Sequence, residues 1–246
     1  MPPRKGLLVA EAAWPEVEQA AASGAIAILP VGAAAKEHGY HLPLSTDYLQ
    51  AEWLGRQVAS AENVVVWPTL SYGYYPVFID YPGSITLTRD TFIAVVCEIL
   101  DGMAHAGVRT AAILNTGIST IAPLEAVLDH APDRLTVGLI NVYSGTRFER
   151  VVKEVGQQRF GGHADEIETS IMLALAPNQV AMDKAVPALT RIERGIFNRT
   201  NAEAPNYNPS GVNGDPTLAT REKGERLTRA ILDDVLDQLG ALRGVC

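Results

Sequence analysis

Residues 25–31, Ala-Ile-Ala-Ile-Leu-Pro-Val, form an unbroken apolar run of strand length. A strand with one wet face alternates apolar and polar side chains, so a run apolar at every position predicts burial on both faces. Val64 to Trp67, Thr110 to Leu114 and Leu135 to Ile140 are further strand candidates. Segments with helical character lie between and after them: Trp14 to Ser23 ended by Gly24, a helix through Tyr48 to Leu54 with Asp47 as its N-cap, and Arg89 to His105 closed by Gly107. Leu124 to His130, Phe148 to Gln158, Asp165 to Leu175 and Arg221 to Leu239 complete the set. Strands alternating with helices predict an α/β fold: one domain over residues 1–246, with a mostly parallel sheet flanked by helices on both faces. Ligands in such folds sit beyond the carboxyl ends of the strands, which directs attention to the loops after Val31, Trp67, Leu114 and Ile140.

Composition narrows the function. A chain of 246 residues that is 47% hydrophobic can bury a large core and is too apolar for disorder. Twenty Lys and Arg against 28 Asp and Glu give a net charge of -8, so neither nucleic acid nor an anionic membrane is expected as a partner. Two cysteines, Cys97 in an apolar helical stretch and Cys246 at the last position, make no disulfide framework, and a reducing compartment fits best. The early apolar run, Gly6 to Ala10, is too short for a signal peptide, and no later run reaches the roughly 18 residues of a membrane span, so a cytoplasmic protein is expected. Val31-Gly32-Ala33-Ala34-Ala35 lacks the Gly-x-Gly-x-x-Gly turn of a dinucleotide site. The irregular segment Asn198 to Pro216 is a candidate lid or subunit contact.

Two stretches carry candidate chemistry. Lys36-Glu37-His38-Gly39-Tyr40-His41-Leu42-Pro43-Leu44-Ser45-Thr46-Asp47 places carboxylates and imidazoles in one loop after a buried strand, a donor set suited to Zn, Mn or Fe. The same residues also allow a plain surface loop with Asp47 only capping a helix. Gly161-Gly162-His163-Ala164-Asp165-Glu166-Ile167-Glu168 opens onto a helix N-terminus, where acids complement the dipole without any function, although this accounts less well for Glu168. His105 and His130, near helix C-termini, are assigned no role.

Leu29-Pro30-Val31-Gly32, Glu37-His38-Gly39, His41-Leu42-Pro43-Leu44 and Thr46-Asp47 together resemble the signature of the creatininase family of metal-dependent amidohydrolases. Tyr81-Pro82-Gly83-Ser84-Ile85 is similar to that family's aromatic-Pro-Gly-Thr-Ile turn. His163-Ala164 with Glu168-Thr169-Ser170 matches its His-Ala-Gly-x-x-Glu-Thr-Ser motif, and Gly211-Val212 through Gly224 its C-terminal motif. The resemblance implies an α/β enzyme, a homo-oligomer and often a hexamer, that holds one or two divalent ions and hydrolyses a C–N bond in a small cyclic amide, formamide or peptide-like substrate. By the same resemblance His38 and Asp47 are metal ligands, with Asp47 able to bridge two ions, and His163 and Glu168 are candidates for proton transfer.

The sequence also departs from the pattern. One extra residue between Gly32 and His38 puts Lys36 at the ungapped position of the family's acidic ligand, and Glu37 is expected to reach the metal in its stead. Asn115-Thr116-Gly117 stands where the family reads Asn-Gly-His, and Ser119 where creatininase has a further ligand carboxylate. Val77-Phe78 replace a Glu-His pair found in many relatives. Tyr72, Tyr74, Tyr75 and Phe78 suit a flat or apolar substrate part or packing between subunits, and Tyr75, Phe78 and Asn115 are taken as substrate-binding candidates. Three functions fit: a hydrolase with one remaining ion; a metal-dependent lactone hydrolase or ring-opening, isomerising enzyme on a small carbonyl compound; or a non-catalytic assembly subunit.

Overall fold

The computed structural model describes residues 5–188, 191–192 and 195–244; Cys246, read above as a chain end, lies outside them. Five parallel strands form one sheet in the order β1-β3-β2-β4-β5. They are β1 (Leu7–Leu8), β2 (Ile26–Val31), β3 (Val64–Val66), β4 (Thr110–Asn115) and β5 (Thr136–Asn141). Among the described residues seven α-helices accompany them: α1 (Trp14–Ala22), α2 (Thr46–Ala61), α3 (Arg89–His105), α4 (Ile121–Leu128), α5 (Thr146–Val155), α6 (Glu166–Leu175) and α7 (Arg221–Arg243). The predicted α/β class with helices on both faces is the class found.

The apolar run of β2 explains itself in the packing. Ile26 and Ile28 point into a core shared with Leu54 and Val58 of α2, Phe148 of α5, Ile171 of α6 and Leu227 and Ile231 of α7. Ala27, Leu29 and Val31 point the opposite way, onto Phe92, Val96 and Leu100 of α3 and Leu124 of α4. Every β2 side chain is buried, as a central strand between two helical layers demands. Pro30 is tolerated there because its carbonyl accepts from Leu70 N–H on the β3 side, so its missing donor faces the region past Val66, where β3 has ended.

Several expectations shift. Leu7–Leu8, not anticipated as a strand, pairs with Val65 and Val66. Asp47 is not an N-cap: Ser45 holds that position, α2 starts at Thr46, and the Asp47 side chain turns inward instead of onto the helix end. Cys97 of α3 is partly buried and packs against the core on that side of the sheet. Among the described residues no helix is long and apolar enough to cross a membrane.

Chain order decides where the site lies. From β2 the chain crosses by α2 to β3 on one side, whereas β4 is followed by β5 on the other. The two directions part between β2 and β4, whose ends are level, with Val31 opposite Asn115. Loops leaving this switch point separate and open a crevice at the strands' carboxyl ends.

Candidate metal centre and active site

The loop after β2 folds back on itself. Lys36 N–H donates to Leu44 O over 3.1 Å and Tyr48 N–H to Ala33 O over 3.1 Å, so the first turn of α2 meets the loop's entry and Asp47 meets Lys36 and His38. Gly32 permits this approach, since a Cβ there would strike the Asp47 backbone. Lys36 Nζ lies 2.6 Å from Asp47 Oδ2 and His38 Nε2 lies 3.0 Å from Asp47 Oδ1. All three are buried: His38 and Asp47 are 0% exposed and Lys36 is 5%. Burial alone would raise the Asp47 carboxyl, but Lys36 and His38 hold it well below the usual carboxylate range.

The second half comes from the loop before α6. Asp165 caps that helix, accepting from Ile167 N–H and Glu168 N–H at 2.9 and 3.0 Å. Ala164 is held at φ 48°, a left-handed conformation unusual for a residue with a Cβ, and its N–H donates to Glu168 Oε2 over 2.7 Å. The strained turn thereby aims Glu168 at the histidines. Glu168 Oε1 lies 3.6 Å from His38 Nε2, and Glu168 Oε2 lies 3.8 Å from His163 Nδ1.

Hydrogen bonding fixes the tautomers. His38 Nδ1 is 2.9 Å from Lys36 O, which can only accept, so Nδ1 carries a proton and donates. In the neutral ring Nε2 is then a bare lone pair, and it faces Asp47 Oδ1 and Glu168 Oε1. Acceptors so placed require a positive charge among them, either a proton or a metal ion. His163 repeats the logic: Nε2 donates to Glu37 O at 2.9 Å and Glu37 Oε2 at 3.0 Å, leaving Nδ1 to face Glu168. Burial lowers the His163 pKa, but the Glu37 carboxylate outweighs it and leaves the ring above its ordinary value. Burial likewise raises Glu37, and His163 with the Gly39 N–H more than reverses that. One ligand atom each from His38, His163 and Glu168 lie within 4.8 Å of one another, the group of metal-ligand type found among the described residues. Two imidazole nitrogens and a carboxylate suit a Zn, Mn or Fe ion with an open position, and a carboxylate behind His163 orients that ring as metal-bound imidazoles are commonly oriented.

The remaining candidates fall out as follows. Glu37 is turned away from His38 and Glu168: it receives the Gly39 N–H and His163 Nε2, and its own N–H donates to Ser84 Oγ over 2.9 Å. Lys36, not Glu37, lies against Asp47. Asn115 is buried and engaged on all sides, donating to Gly117 O and Asn141 Oδ1 and accepting from Gly117 N–H and Thr120 Oγ1. Tyr75 is buried with its ring 5.5 Å from Lys36 Nζ, whereas Phe78 lies 4.2 Å from the His163 ring and lines the cavity. At Gly117 a Cβ would come within 2.7 Å of Thr120 Oγ1 and 3.3 Å of Tyr75, so a side chain there would force Thr120 Oγ1 to move. Gly211, which opens the C-terminal motif, has φ 77°, and any side chain on it would overlap the Glu37 carboxylate. His41 is buried with Nε2 2.8 Å from Thr169 Oγ1 and Nδ1 unpartnered, and burial pushes its pKa down to about 4.

Above these groups opens a cavity of about 780 Å³. Lys36, Asp47, His163 and Glu168 form its polar floor, and Val77, Phe78, Ile118 and Phe197 are among its apolar walls. The candidate lid segment braces the site: Asn213 exchanges backbone hydrogen bonds with His163, and Asn208 donates to the Val212 carbonyl. The volume suits a small molecule.

Comparison with known proteins bears on the family and the fold. The chain is 27% identical to creatinine amidohydrolase of Pseudomonas putida, over 96% of both proteins. It is 27% identical to 3-dehydro-scyllo-inosose hydrolase of Thermotoga maritima, over 84% of this chain and 74% of that one. A solved structure described as creatininase Mn superposes with a TM-score of 0.82 at 24% identity, covering 95% of this chain and 97% of its own. The family described as creatinine amidohydrolase matches residues 10–239, and on that match the chain belongs to the creatininase family.

Proposed function

We propose that this chain is a divalent-metal-dependent hydrolase that cleaves a C–N bond in a small cyclic amide or formamide-like compound. The observation that carries the reading is the convergence of two imidazole nitrogens, His38 Nε2 and His163 Nδ1, on the Glu168 carboxylate at a cavity floor. In this reading His163 and Glu168, anticipated as proton-transfer groups, hold the ion together with His38, and Asp47 Oδ1 lies beside them. Glu37 acts behind His163 and keeps its Nε2 protonated. An ion there supplies Lewis acidity toward the substrate carbonyl and an acidified water. The protein's own residues exclude bulk water with Phe78 and Phe197 and fix the imidazole tautomers before substrate arrives. Mn, Zn and Fe all suit the donors, and Mn is named for a creatininase of the same fold.

A second reading, hydrolytic ring opening of a small carbonyl compound, is favoured by the similarity to the inosose hydrolase. Assembly into a homo-oligomer is supported by the exposed apolar side chains of Tyr40, Leu44, Ile79 and Ile85. The test is metal analysis of protein purified without added metal or chelator, beside His163→Ala, followed by a screen of cyclic amides, formamides and cyclic ketones. Bound metal lost in the variant, with amine or ammonia release that a chelator abolishes, is the expected result. Metal-free protein that hydrolyses the same substrates, or equal metal in both proteins, would overturn the proposal.

A further inference from the structure

We propose that the Lys36 ammonium occupies the place of a second cation, so that the site takes one divalent ion per chain. The inference rests on the metal-binding reading above and adds the number of ions and the residue that sets it. Lys36 Nζ is 2.6 Å from Asp47 Oδ2 and is closed off by the rings of Phe78 and Tyr75 at 5.2 and 5.5 Å. A buried carboxylate has two oxygens whose charge must be balanced: Oδ2, which has no hydrogen-bond partner, is ion-paired by its closeness to the fixed ammonium, and Oδ1 faces His38 Nε2. The position on Oδ2 is thus filled by a charge that is part of the chain.

Charge balance leads to the same number. Glu37, Asp47 and Glu168 bring three negative charges to the floor, and Lys36 returns one positive charge. The hydrogen bonds to Lys36 O and to Glu37 let both histidines ligate as neutral rings. Nearby acids are matched elsewhere: Glu166 pairs with Lys223 at 2.5 Å, and Asp165 accepts from backbone N–H groups at the start of α6. One divalent ion brings the floor to neutrality, whereas two would leave an uncompensated double positive charge out of water, which is costly. Among the described residues no second group of metal-ligand type is found: Gly117 and Ser119 carry no ligand of imidazole or carboxylate type, and a side chain at Gly117 would have to displace Thr120 Oγ1.

The same count gives a sharp test. Lys36→Glu changes the floor from two net negative charges to four, which two divalent ions neutralise. Full-length protein stripped with chelator is titrated with Mn²⁺ by equilibrium dialysis, and the bound ion is examined by electron paramagnetic resonance. Wild type is expected to saturate at one Mn²⁺ with the spectrum of an isolated ion. Lys36→Glu is expected to saturate at two, with the spectrum of a coupled pair. Two ions in wild type, or one in a folded Lys36→Glu protein, overturn the inference and leave the metal-dependent hydrolase standing. No Mn²⁺ in wild type, with none of Zn²⁺ or Fe²⁺ either, overturns the hydrolase reading itself. If Lys36→Glu does not fold, Lys36→Met keeps the length of the side chain and removes its charge. The single Mn²⁺ should then bind roughly tenfold tighter or more, because a nearby positive charge is gone; unchanged or weaker binding overturns the assignment.

Discussion

Replacing Asp47 by Asn in metal-free protein isolates the interaction on which the centre is built. The substitution keeps the shape of the side chain and removes its charge, leaving the Lys36 ammonium 5% exposed between two aromatic rings. At the 2.6 Å spacing of this pair, Coulomb's law with an effective dielectric of 20 gives about 6 kcal/mol, of which the Asn carbonyl recovers part as a neutral acceptor. Breaking one side of a buried pair costs about 3–5 kcal/mol in general, and the lower half of that range is expected here. The assay is urea unfolding with chelator present; with a slope near 3 kcal/mol/M the midpoint should fall by about 1 M. Lys36→Met/Asp47→Asn should recover most of the loss, because no charge is then buried alone, and the double-mutant cycle should show strong coupling. A loss under about 1 kcal/mol, or additive effects, would mean that the ammonium reaches water and that the buried pair is not as described.

Three further outcomes are expected. His41, neutral in the fold with a pKa near 4 against 6.5 when unfolded, contributes stability above pH 6.5 that is lost as pH falls toward 4. Discounted for partial solvent screening, the wild-type chain should lose about 2 kcal/mol more than His41→Gln over that window in pH-dependent unfolding, and parallel curves would refute it. Glu37→Gln should weaken divalent-ion binding about 10- to 100-fold in a dye-competition titration while leaving the far-ultraviolet circular dichroism unchanged, since it alters the partner of His163 and no ligand. Gly117→Ala should cost about 1–3 kcal/mol by forcing Thr120 Oγ1 off Asn115, and adding Thr120→Ala should cost less than the two single changes together.

The linear sequence was sufficient for four of the five strands described, all but the two-residue edge strand Leu7–Leu8. An apolar run such as Ile26–Val31 can be satisfied only between two layers, and the 3.6-residue spacing of Phe92, Val96 and Met103 gave α3 its observed bounds, Arg89–His105. Local chemistry of this kind survives without knowledge of the rest of the chain. Element ends were less legible: α2 runs seven residues past Leu54 to Ala61, because its later turns are held by packing of Val58 and Ala59 on the core and by no terminal signal.

What the sequence determined about the centre was which residue types gather in the loops after β2 and before α6, and their match to a family pattern. Their roles were decided only by distances across the fold. Glu37 and Lys36 are neighbours in the chain, yet the folded-back loop sends one to His163, 126 residues away, and the other to Asp47. Asp47 looked like a helix cap because capping is a local property, but the approach of Lys36 and His38 turns it inward. Nor could spacing reveal that Asn115 is saturated by Gly117, Thr120 and Asn141, or that Gly211 makes room for a carboxylate. Residue type and periodicity fix what a segment can bury; which charge stands beside which depends on where the chain returns, and that is set by the packing of α2 and α6 at the switch point between β2 and β4.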